Sequence, residues 1–154
     1  MGDSGRNEPR KEFRDRLRSR QALLGTFIKT PSSIVCEVLG DTAMDAICLD
    51  AEHAPFGRLE LDSCIHALRS AGMPCLVRVQ NDHPDVILNV LDCGATGVVI
   101  PHVSSAQQAE SIVRSAHYGR GGRGYAGSSR AAGYTGKPMA DHLAGSAAPT
   151  TDIV

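Results

Sequence analysis

The stretch DAICLDAEHAPFGRLELDSCIHALRSAGMPCLVRV (Asp45–Val79) holds two apolar runs on either side of a helical pattern. In the two runs, Asp45–Asp50 and Cys75–Val79, apolar residues follow one another, as is typical of strands buried on both faces of a parallel sheet. Between them, Leu59–Ala71 places apolar residues at helical spacing, and Gly72 follows where a helix commonly ends in the left-handed conformation. The stretch therefore predicts a strand, a covering helix and a second, parallel strand.

The same alternation extends in both directions along the chain. Further strand-like runs and helical patterns lie at Leu23–Ile28, Ser32–Leu39, Pro84–Asp92, Gly97–Pro101 and Ser105–His117. Four successive βα units predict a parallel sheet covered by helices, and the absence of a GxGxxG motif after the first strand disfavours a dinucleotide-binding sheet. Polar residues instead collect after the strand ends, which favours a (β/α)8 TIM barrel. They lie at Asp50–His53, Arg78–Asp82 and Pro101–His102.

The length of 154 residues fits one domain. We expect residues 1–22 to form a basic N-terminal helix or arm that docks Phe13 and Leu17, and residues 23–154 to form the N-terminal half of the barrel. A complete barrel needs about 250 residues, so the chain accounts for roughly half of one. Residues 119–149 are rich in Gly, Ser and Ala and predict a long loop with room for one short helix. Asp152–Val154 resemble the start of another strand.

Composition excludes several classes of protein. The formal net charge of −1 and the 4% of aromatic residues, with no Trp, argue against a nucleic-acid partner. The N-terminal segment lacks the apolar core of a secretory signal, and no window is long and apolar enough to span a bilayer, so no membrane partner is expected. The five cysteines form no CxxC pair, which argues against a zinc knuckle or redox dithiol and favours a reducing, cytoplasmic compartment.

Three residues are candidates for chemistry, and each has a structural alternative. His53 follows Asp50 and Glu52 at a strand end, where an imidazole oriented by a carboxylate can act as a general base, although strands also end in such residues without function. Arg78 interrupts a buried strand, so it either binds an anion or closes an internal ion pair. Asp92 opposes the dipole at a helix C-terminus, and it can pair with Arg78 or hold His53 in its basic tautomer.

The glycine-rich segment HYGRGGRGYAGSSR (His117–Arg130) also has two interpretations. It is either a flexible surface linker or an anion-facing loop of the site, and it lacks the strand–loop–helix context of a phosphate cradle. The remaining histidines show no metal-ligand spacing such as HxxxH. The sequence therefore assigns no residue to a metal or to cofactor binding.

Four segments resemble, in this order, the HpcH/HpaI aldolase family. They are LGTFIKTPSS, DAICLDAEHAP, VRVQNDHPDVILNVLDCGATGVVIPHV and HYGRGGRG, from about Leu24 to Arg123. The resemblance implies a (β/α)8 barrel and a class II aldolase, a carbon–carbon lyase that uses a divalent metal, Mg or Mn; 2-dehydro-3-deoxyglucarate aldolase is a close relative. Its substrates are 2-keto-3-deoxy or 4-hydroxy-2-oxo acids, which are cleaved to pyruvate and an aldehyde. The resemblance further implies that His53 is the base, that Arg78 binds and polarises the pyruvate-derived end, and that Asp92 raises the basicity of His53.

The resemblance also sets expectations about completeness. The family's metal ligands are a Glu in a Gln-Ile-Glu element on the fifth strand and an Asp in a later loop, so both are expected beyond Val154. We therefore expect a truncated aldolase whose unpaired edge strands favour a homo-oligomer. Two alternatives are a non-catalytic half-barrel that acts as an interaction or assembly module, and an enzyme completed in trans by a second chain.

Overall fold

The structure, a computed structural model, describes residues 4–136, 138–146 and 152–153. Its helices are α1 (Ser4–Arg18), α2 (Ser33–Gly40), α3 (Arg58–Ser70), α4 (Pro84–Asp92), α5 (Ala106–Ala116) and α6 (Met139–Ser146). Its strands are β1 (Gly25–Ile28), β2 (Ala46–Asp50), β3 (Cys75–Arg78), β4 (Gly97–Val99) and β5 (Asp152–Ile153). The ends of α2–α5 and β1–β4 lie within about two residues of those that the sequence predicts, which is the usual uncertainty of such ends.

In the described part of the chain, the strands form one parallel sheet in the order β1-β2-β3-β4-β5. Each strand pairs with the next one along the chain; Ile47 of β2 lies beside Cys75 of β3, and Leu76 of β3 lies beside Gly97 of β4. A dinucleotide-binding sheet instead reverses its strand order in the middle. The consecutive order therefore confirms the predicted arc of a (β/α)8 barrel, and β5 confirms that the sheet continues beyond β4.

The core lies between the sheet and its covering helices. Every residue of β2 is buried, as expected of an inner parallel strand. Ile47 and Leu49 of β2 join Ile65 and Leu68 of α3 in one cluster of fully buried side chains. Because Ile65 and Leu68 are three residues apart, they share one face of the helix. The apolar residues whose spacing predicts α3 are thus also residues of the core.

Four of the five cysteines, Cys36, Cys48, Cys64 and Cys75, are buried in this core. Burial raises the pKa of the Cys36 thiol to about 12 and that of the Cys48 thiol to about 11. A thiol that ionises so weakly is a poor nucleophile at neutral pH. These cysteines therefore act as small hydrophobic core residues, as their apolar sequence context indicates.

Glycines at the helix ends serve two different purposes. Gly72 after α3 and Gly94 after α4 have φ angles of +77° and +97°, the left-handed conformation expected of a helix stop. Gly40 follows a helical pattern in the same way, but it is the last residue of α2 and has no left-handed φ. A Cβ at Gly40 would lie 2.6 Å from the Cβ of Ala71, so this glycine lets α2 approach the end of α3 closely.

α1 packs beneath the amino ends of the strands. Phe13 is 5% exposed, so the helix docks on the rest of the fold through this residue. Arg10 donates a hydrogen bond to the carbonyl oxygen of Gly94 at 2.7 Å, and Arg16 forms an ion pair with Asp45, which precedes β2. At least two basic side chains of this helix, those of Arg10 and Arg16, therefore bind other parts of the fold. Among the helices of the described residues, none combines the length and hydropathy needed to cross a bilayer.

The glycine-rich segment packs against α3 and the end of α4. Arg130 forms a two-point ion pair with Asp62 of α3 and donates from Nη1 to the carbonyl oxygen of Cys93 at 2.8 Å. A Cβ at Gly122 would lie 2.3 Å from the carbonyl oxygen of His117, so a glycine is needed for this turn. The segment is thus a packed turn rather than a flexible linker, and α6 is the short helix that the sequence allows.

Candidate active site

Polar side chains meet at the carboxyl-terminal edge of the sheet. Because parallel strands end at the same edge, residues that follow β1, β2, β3 and β4 come together there. We refer to the following six residues as the strand-end cluster. They are Lys29 after β1, Asp50, Glu52 and His53 at the end of β2, Arg78 at the end of β3, and His102 after β4.

Arg78 is held by Asp50 in a two-point ion pair. The two residues are direct partners in the register of β2 and β3, and Arg78 donates from Nε to Oδ1 at 3.0 Å and from Nη2 to Oδ2 at 2.8 Å. The ring of Phe27 in β1 supports the guanidinium, with 5.0 Å between Cζ and the ring centroid. The Asp50 side chain is 1% exposed, and hydrogen bonding from Arg78 lowers its pKa to about 2. The internal ion pair that the sequence left open is therefore formed, with Asp50 rather than Asp92 as the partner.

This pairing leaves part of the guanidinium available to a ligand. Nη1 of Arg78 has no hydrogen-bond partner among the described residues, and the side chain is 27% exposed. When Nε and Nη2 are fixed by a carboxylate, Nη1 can be presented to an oxyanion in one orientation. Arg78 can thus be internally paired and bind an anion at the same time.

Asp50 also fixes the turn that carries His53. Its Oδ1 accepts a hydrogen bond from the backbone N–H of His53 at 3.1 Å, and the Nζ of Lys29 lies 3.8 Å from its Oδ2. The His53 side chain is 61% exposed, so its imidazole is accessible from this edge. One buried carboxylate therefore positions two of the predicted site residues, Arg78 through its side chain and His53 through its backbone.

Glu52 is the carboxylate that faces the imidazole of His53. Its side chain is 10% exposed, and its Oε1 lies 3.6 Å from Nε2 of His53 and 3.3 Å from Nε2 of His102. Its Oε2 lies 3.3 Å from Nε of Arg78. The 3.6 Å separation is a charge contact longer than a hydrogen bond. Glu52 thus connects three strand ends: its own, that of β3 and that of β4.

Asp92 occupies a different place in the described part of the chain. It ends α4, near the amino end of β4, and its backbone carbonyl accepts a hydrogen bond from Ala131. Its Oδ1 is buried without a hydrogen-bond partner, and burial raises the pKa of the carboxyl group against the opposing charges of Arg123 and Arg58. No contact within the described residues joins Asp92 to His53. The structure thus brings His53 and Arg78 together but not Asp92.

The donor groups of the strand-end cluster do not fit a divalent metal. Mg and Mn prefer several oxygen ligands around one point. Across residues 4–136, 138–146 and 152–153, no group of three or more His, Cys, Asp or Glu side chains is arranged to hold a metal ion. Both oxygens of Asp50 accept hydrogen bonds from Arg78, and Glu52 faces Arg78 and two imidazoles. No residue of the cluster is therefore assigned to a metal.

Three residues of this site had no defined role in the sequence. They are Asp50 as the partner of Arg78, Glu52 as the neighbour of His53, and His102. The available signal was the collection of polar residues after successive strand ends. The pairing itself depends on strand register and on a left-handed φ of +59° at His102, and neither is evident from residue spacing.

Comparisons with known proteins agree with this architecture. The family profile described as HpcH/HpaI aldolase/citrate lyase matches residues 23–139. The 2-dehydro-3,6-dideoxy-6-sulfogluconate aldolase of Pseudomonas putida is 34% identical over 119 residues, which cover 77% of this chain and 47% of that protein. The hydroxypyruvate/pyruvate aldolase of Roseobacter denitrificans is 32% identical over 121 residues, again covering 77% of this chain and 47% of the relative. The chain spans about half the length of these curated relatives.

A solved structure supports the same assignment. An HpcH/HpaI aldolase/citrate lyase family protein from Burkholderia cenocepacia matches with a TM-score of 0.80 and 26% identity, over 96% of this chain and 58% of that one. The profile match extends from β1 through the beginning of α6 and includes the whole strand-end cluster. The chain belongs to the HpcH/HpaI aldolase/citrate lyase family.

Proposed function

We propose that the strand-end cluster is the keto-acid-binding part of an aldolase site. The whole protein would cleave 4-hydroxy-2-oxo acids, including 2-keto-3-deoxy acids, to pyruvate and an aldehyde. Membership of the family and the names of the two aldolases support this class of reaction. The observation that carries the proposal is the single buried carboxylate, Asp50, that fixes both Arg78 and the turn of His53 at one edge of the sheet.

In this proposal Arg78 binds the keto-acid end of the substrate. Its Nη1 donates a hydrogen bond to an oxygen of the 2-keto acid, and this bond strengthens as negative charge develops on the C2 oxygen. Asp50 and the Phe27 ring restrict rotation of the guanidinium, so the donor is oriented before the substrate arrives. Such preorganisation reduces the free energy needed to rearrange the site in the transition state.

His53 is the proposed base. It removes the proton of the C4 hydroxyl, the C3–C4 bond breaks, and its electron pair passes through C2 to the keto oxygen to give an enolate and the aldehyde. The imidazolium then returns the proton to C3, which gives pyruvate. In the reverse direction the same imidazole removes a proton from the methyl group of pyruvate.

The finer points inherited from the resemblance are also proposals. A divalent metal, Mg or Mn, supplies further stabilisation of the enolate charge when it is bound. Since the described donor groups do not fit such an ion, we place its ligands outside the described residues and assign no step to it. The role of Asp92, a homo-oligomeric state and a cytoplasmic location remain predictions.

A second candidate function is that of a half-barrel completed, or used for assembly, by another chain. This candidate is favoured by large apolar side chains exposed on α2, on β1 and directly before β1. Leu24 and Phe27 are 65% and 53% exposed, and Ile34 and Val38 are 70% and 65% exposed. β1 is also an edge strand, with unpaired backbone groups on one side in the described sheet.

The proposed chemistry can be tested in a completed barrel. The chain is fused to the C-terminal half of the Pseudomonas putida aldolase, and exchange of the pyruvate methyl protons with D₂O is followed by proton NMR. The His53→Ala variant should slow this exchange by at least about 100-fold, the usual share of a general base. His66→Ala, which changes an exposed histidine on α3, is the matched control and should leave the rate unchanged. Equal rates for the parent and His53→Ala would remove His53 from this role.

A further inference from the structure

We propose that Glu52 is a positioning residue that holds the imidazoles of both His53 and His102 in one tautomer, and that His102 is thereby a further residue of the site. The starting observation is the position of one oxygen atom. Oε1 of Glu52 faces Nε2 of His53 at 3.6 Å and Nε2 of His102 at 3.3 Å. The two histidines come from different strand ends, β2 and β4, so local sequence does not explain why they share this oxygen.

The chemistry of a carboxylate determines the tautomer that it favours. An ionised carboxylate only accepts hydrogen bonds, so an imidazole nitrogen that faces it carries the proton. Through this charge contact Glu52 favours the proton on Nε2 of both rings, which leaves the lone pair on Nδ1. Because Oε2 of Glu52 faces Nε of Arg78 at 3.3 Å, the carboxylate is held from its other side as well. With only 10% of its side chain exposed, Glu52 is well placed to orient its partners.

His102 shows a second sign of a functional position. Its φ is +59°, in the left-handed region that residues other than glycine rarely adopt, although histidine tolerates it better than most. Its side chain is 87% exposed, so it contributes little to the core. His102 lies in a turn, and an exposed ring that is directed at a mostly buried carboxylate, on a backbone conformation rare for its residue type, supports a place in the site.

The consequence for catalysis rests on the proposed function. Retro-aldol cleavage removes one proton from a hydroxyl group and adds one proton to C3. His53 takes the hydroxyl proton at its unprotonated Nδ1, is held as an imidazolium by the charge of Glu52, and returns that proton to C3, while the ring of His102 contacts the same carboxylate oxygen. Glu52, rather than Asp92, is then the carboxylate that orients His53.

The test uses the 154-residue chain itself, labelled with ¹⁵N-histidine, and needs no turnover. NMR spectra that correlate ring nitrogens with ring protons report the tautomer of each histidine, and His53→Asn and His102→Asn variants assign the two signals. We expect both rings to carry the proton on Nε2. In Glu52→Gln the charge is lost and the amide can also donate to a ring nitrogen, so both preferences should weaken together, with the exposed His83 as an internal reference. The control Glu110→Gln, on the surface of α5, should change neither.

The proposal is overturned if either ring keeps its tautomer in Glu52→Gln, or if Asp92→Asn, rather than Glu52→Gln, changes the tautomer of His53. Should Glu52→Gln fail to fold, Glu52→Asp keeps the charge but withdraws the oxygen by one methylene group, and the same loss of preference is expected. An inactive completed barrel with the expected tautomers would refute the proposed reaction and leave the role of Glu52 intact.

Discussion

Asp50 and Arg78 face each other across β2 and β3, and two hydrogen bonds of 3.0 and 2.8 Å join their side chains. The pair is unequal, because the carboxylate is 1% exposed and the guanidinium 27%. A carboxylate that is so well buried is costly without a partner. The same pair therefore supports the fold and orients the donor that we assign to the keto acid.

Replacing Asp50 with Asn should destabilise the fold strongly. The substitution removes the charge of the carboxylate that accepts two hydrogen bonds from Arg78, and Arg78 keeps only Glu52, at 3.3 Å, as a charged neighbour. Because Arg78 is also partly exposed, we expect the free energy of unfolding to fall by about 2 kcal/mol, the size of a charged hydrogen bond, in urea unfolding followed by circular dichroism. Asp15→Asn, on the exposed surface of α1, is the matched control and should cost less than about 0.5 kcal/mol. A cost for Asp50→Asn as small as that of the control would contradict the account.

Acid should remove the stabilisation that Asp50 provides. Its pKa in the folded chain is about 2, below the usual 3.8 of an aspartate, because Arg78 donates hydrogen bonds to the charged form. The unfolded chain therefore binds this proton more readily, and the contribution is complete above about pH 4 and lost as the pH falls toward 2. Unfolding free energies measured between pH 2 and 6 should fall on acidification, and more steeply in the parent than in Asp50→Asn. If the unfolding free energies of the two proteins changed with pH in parallel, Asp50 would not be the cause of the loss of stability in acid.

Asp92 should have the opposite effect. Burial raises the pKa of its carboxyl group, so the folded chain binds this proton more tightly than the unfolded one and loses stability as the pH rises through that raised pKa. Asp92→Asn should therefore be more stable than the parent at pH 7 and nearly equal to it below pH 3, as measured by melting temperature. In the completed barrel, the role implied by the family resemblance predicts that the same variant loses activity. Equal stabilisation at both pH values would mean that charge is not the cause.

The exposed apolar residues of α2 should drive self-association. Ile34 and Val38 lie four residues apart and therefore on one face of the helix. Replacing both with Glu should shift the chain toward a monomer in sedimentation velocity experiments at equal concentration. Val113→Glu on α5, where the parent side chain is 47% exposed, is the control for a general effect of added charge. An identical distribution of species for the double variant and the parent would place any association elsewhere.

Much of the fold could be predicted from local signals. The spacing that marks α3 places Ile65 and Leu68 in the core, and Gly72 and Gly94 adopt the left-handed stops that follow helical patterns. Gly40 departs from this rule because the close approach of α2 to Ala71, a tertiary contact, decides its role. Local sequence reports helix and strand ends well, but it does not report which helices touch.

The candidate site was predictable only in part. Residues after strand ends point to His53 and Arg78, since parallel strands end at one edge. The partner of Arg78 depends on register, and register is a relation between two strands that are far apart in sequence. Glu52 and His102 meet through such a relation as well, which residue spacing does not reveal.

We propose that this chain carries the keto-acid half of an aldolase site, and we predict that turnover depends on a completed barrel. The most direct test is pyruvate release from a 2-keto-3-deoxy acid with added Mg or Mn, measured side by side for the chain alone and for its fusion to the C-terminal half of the Pseudomonas putida aldolase. We predict metal-dependent release by the fusion protein, loss of that release in its Arg78→Ala variant, and none from the chain alone. Turnover by the chain alone that a chelator abolishes, or a folded fusion protein whose release is unaffected by Arg78→Ala, would contradict the account.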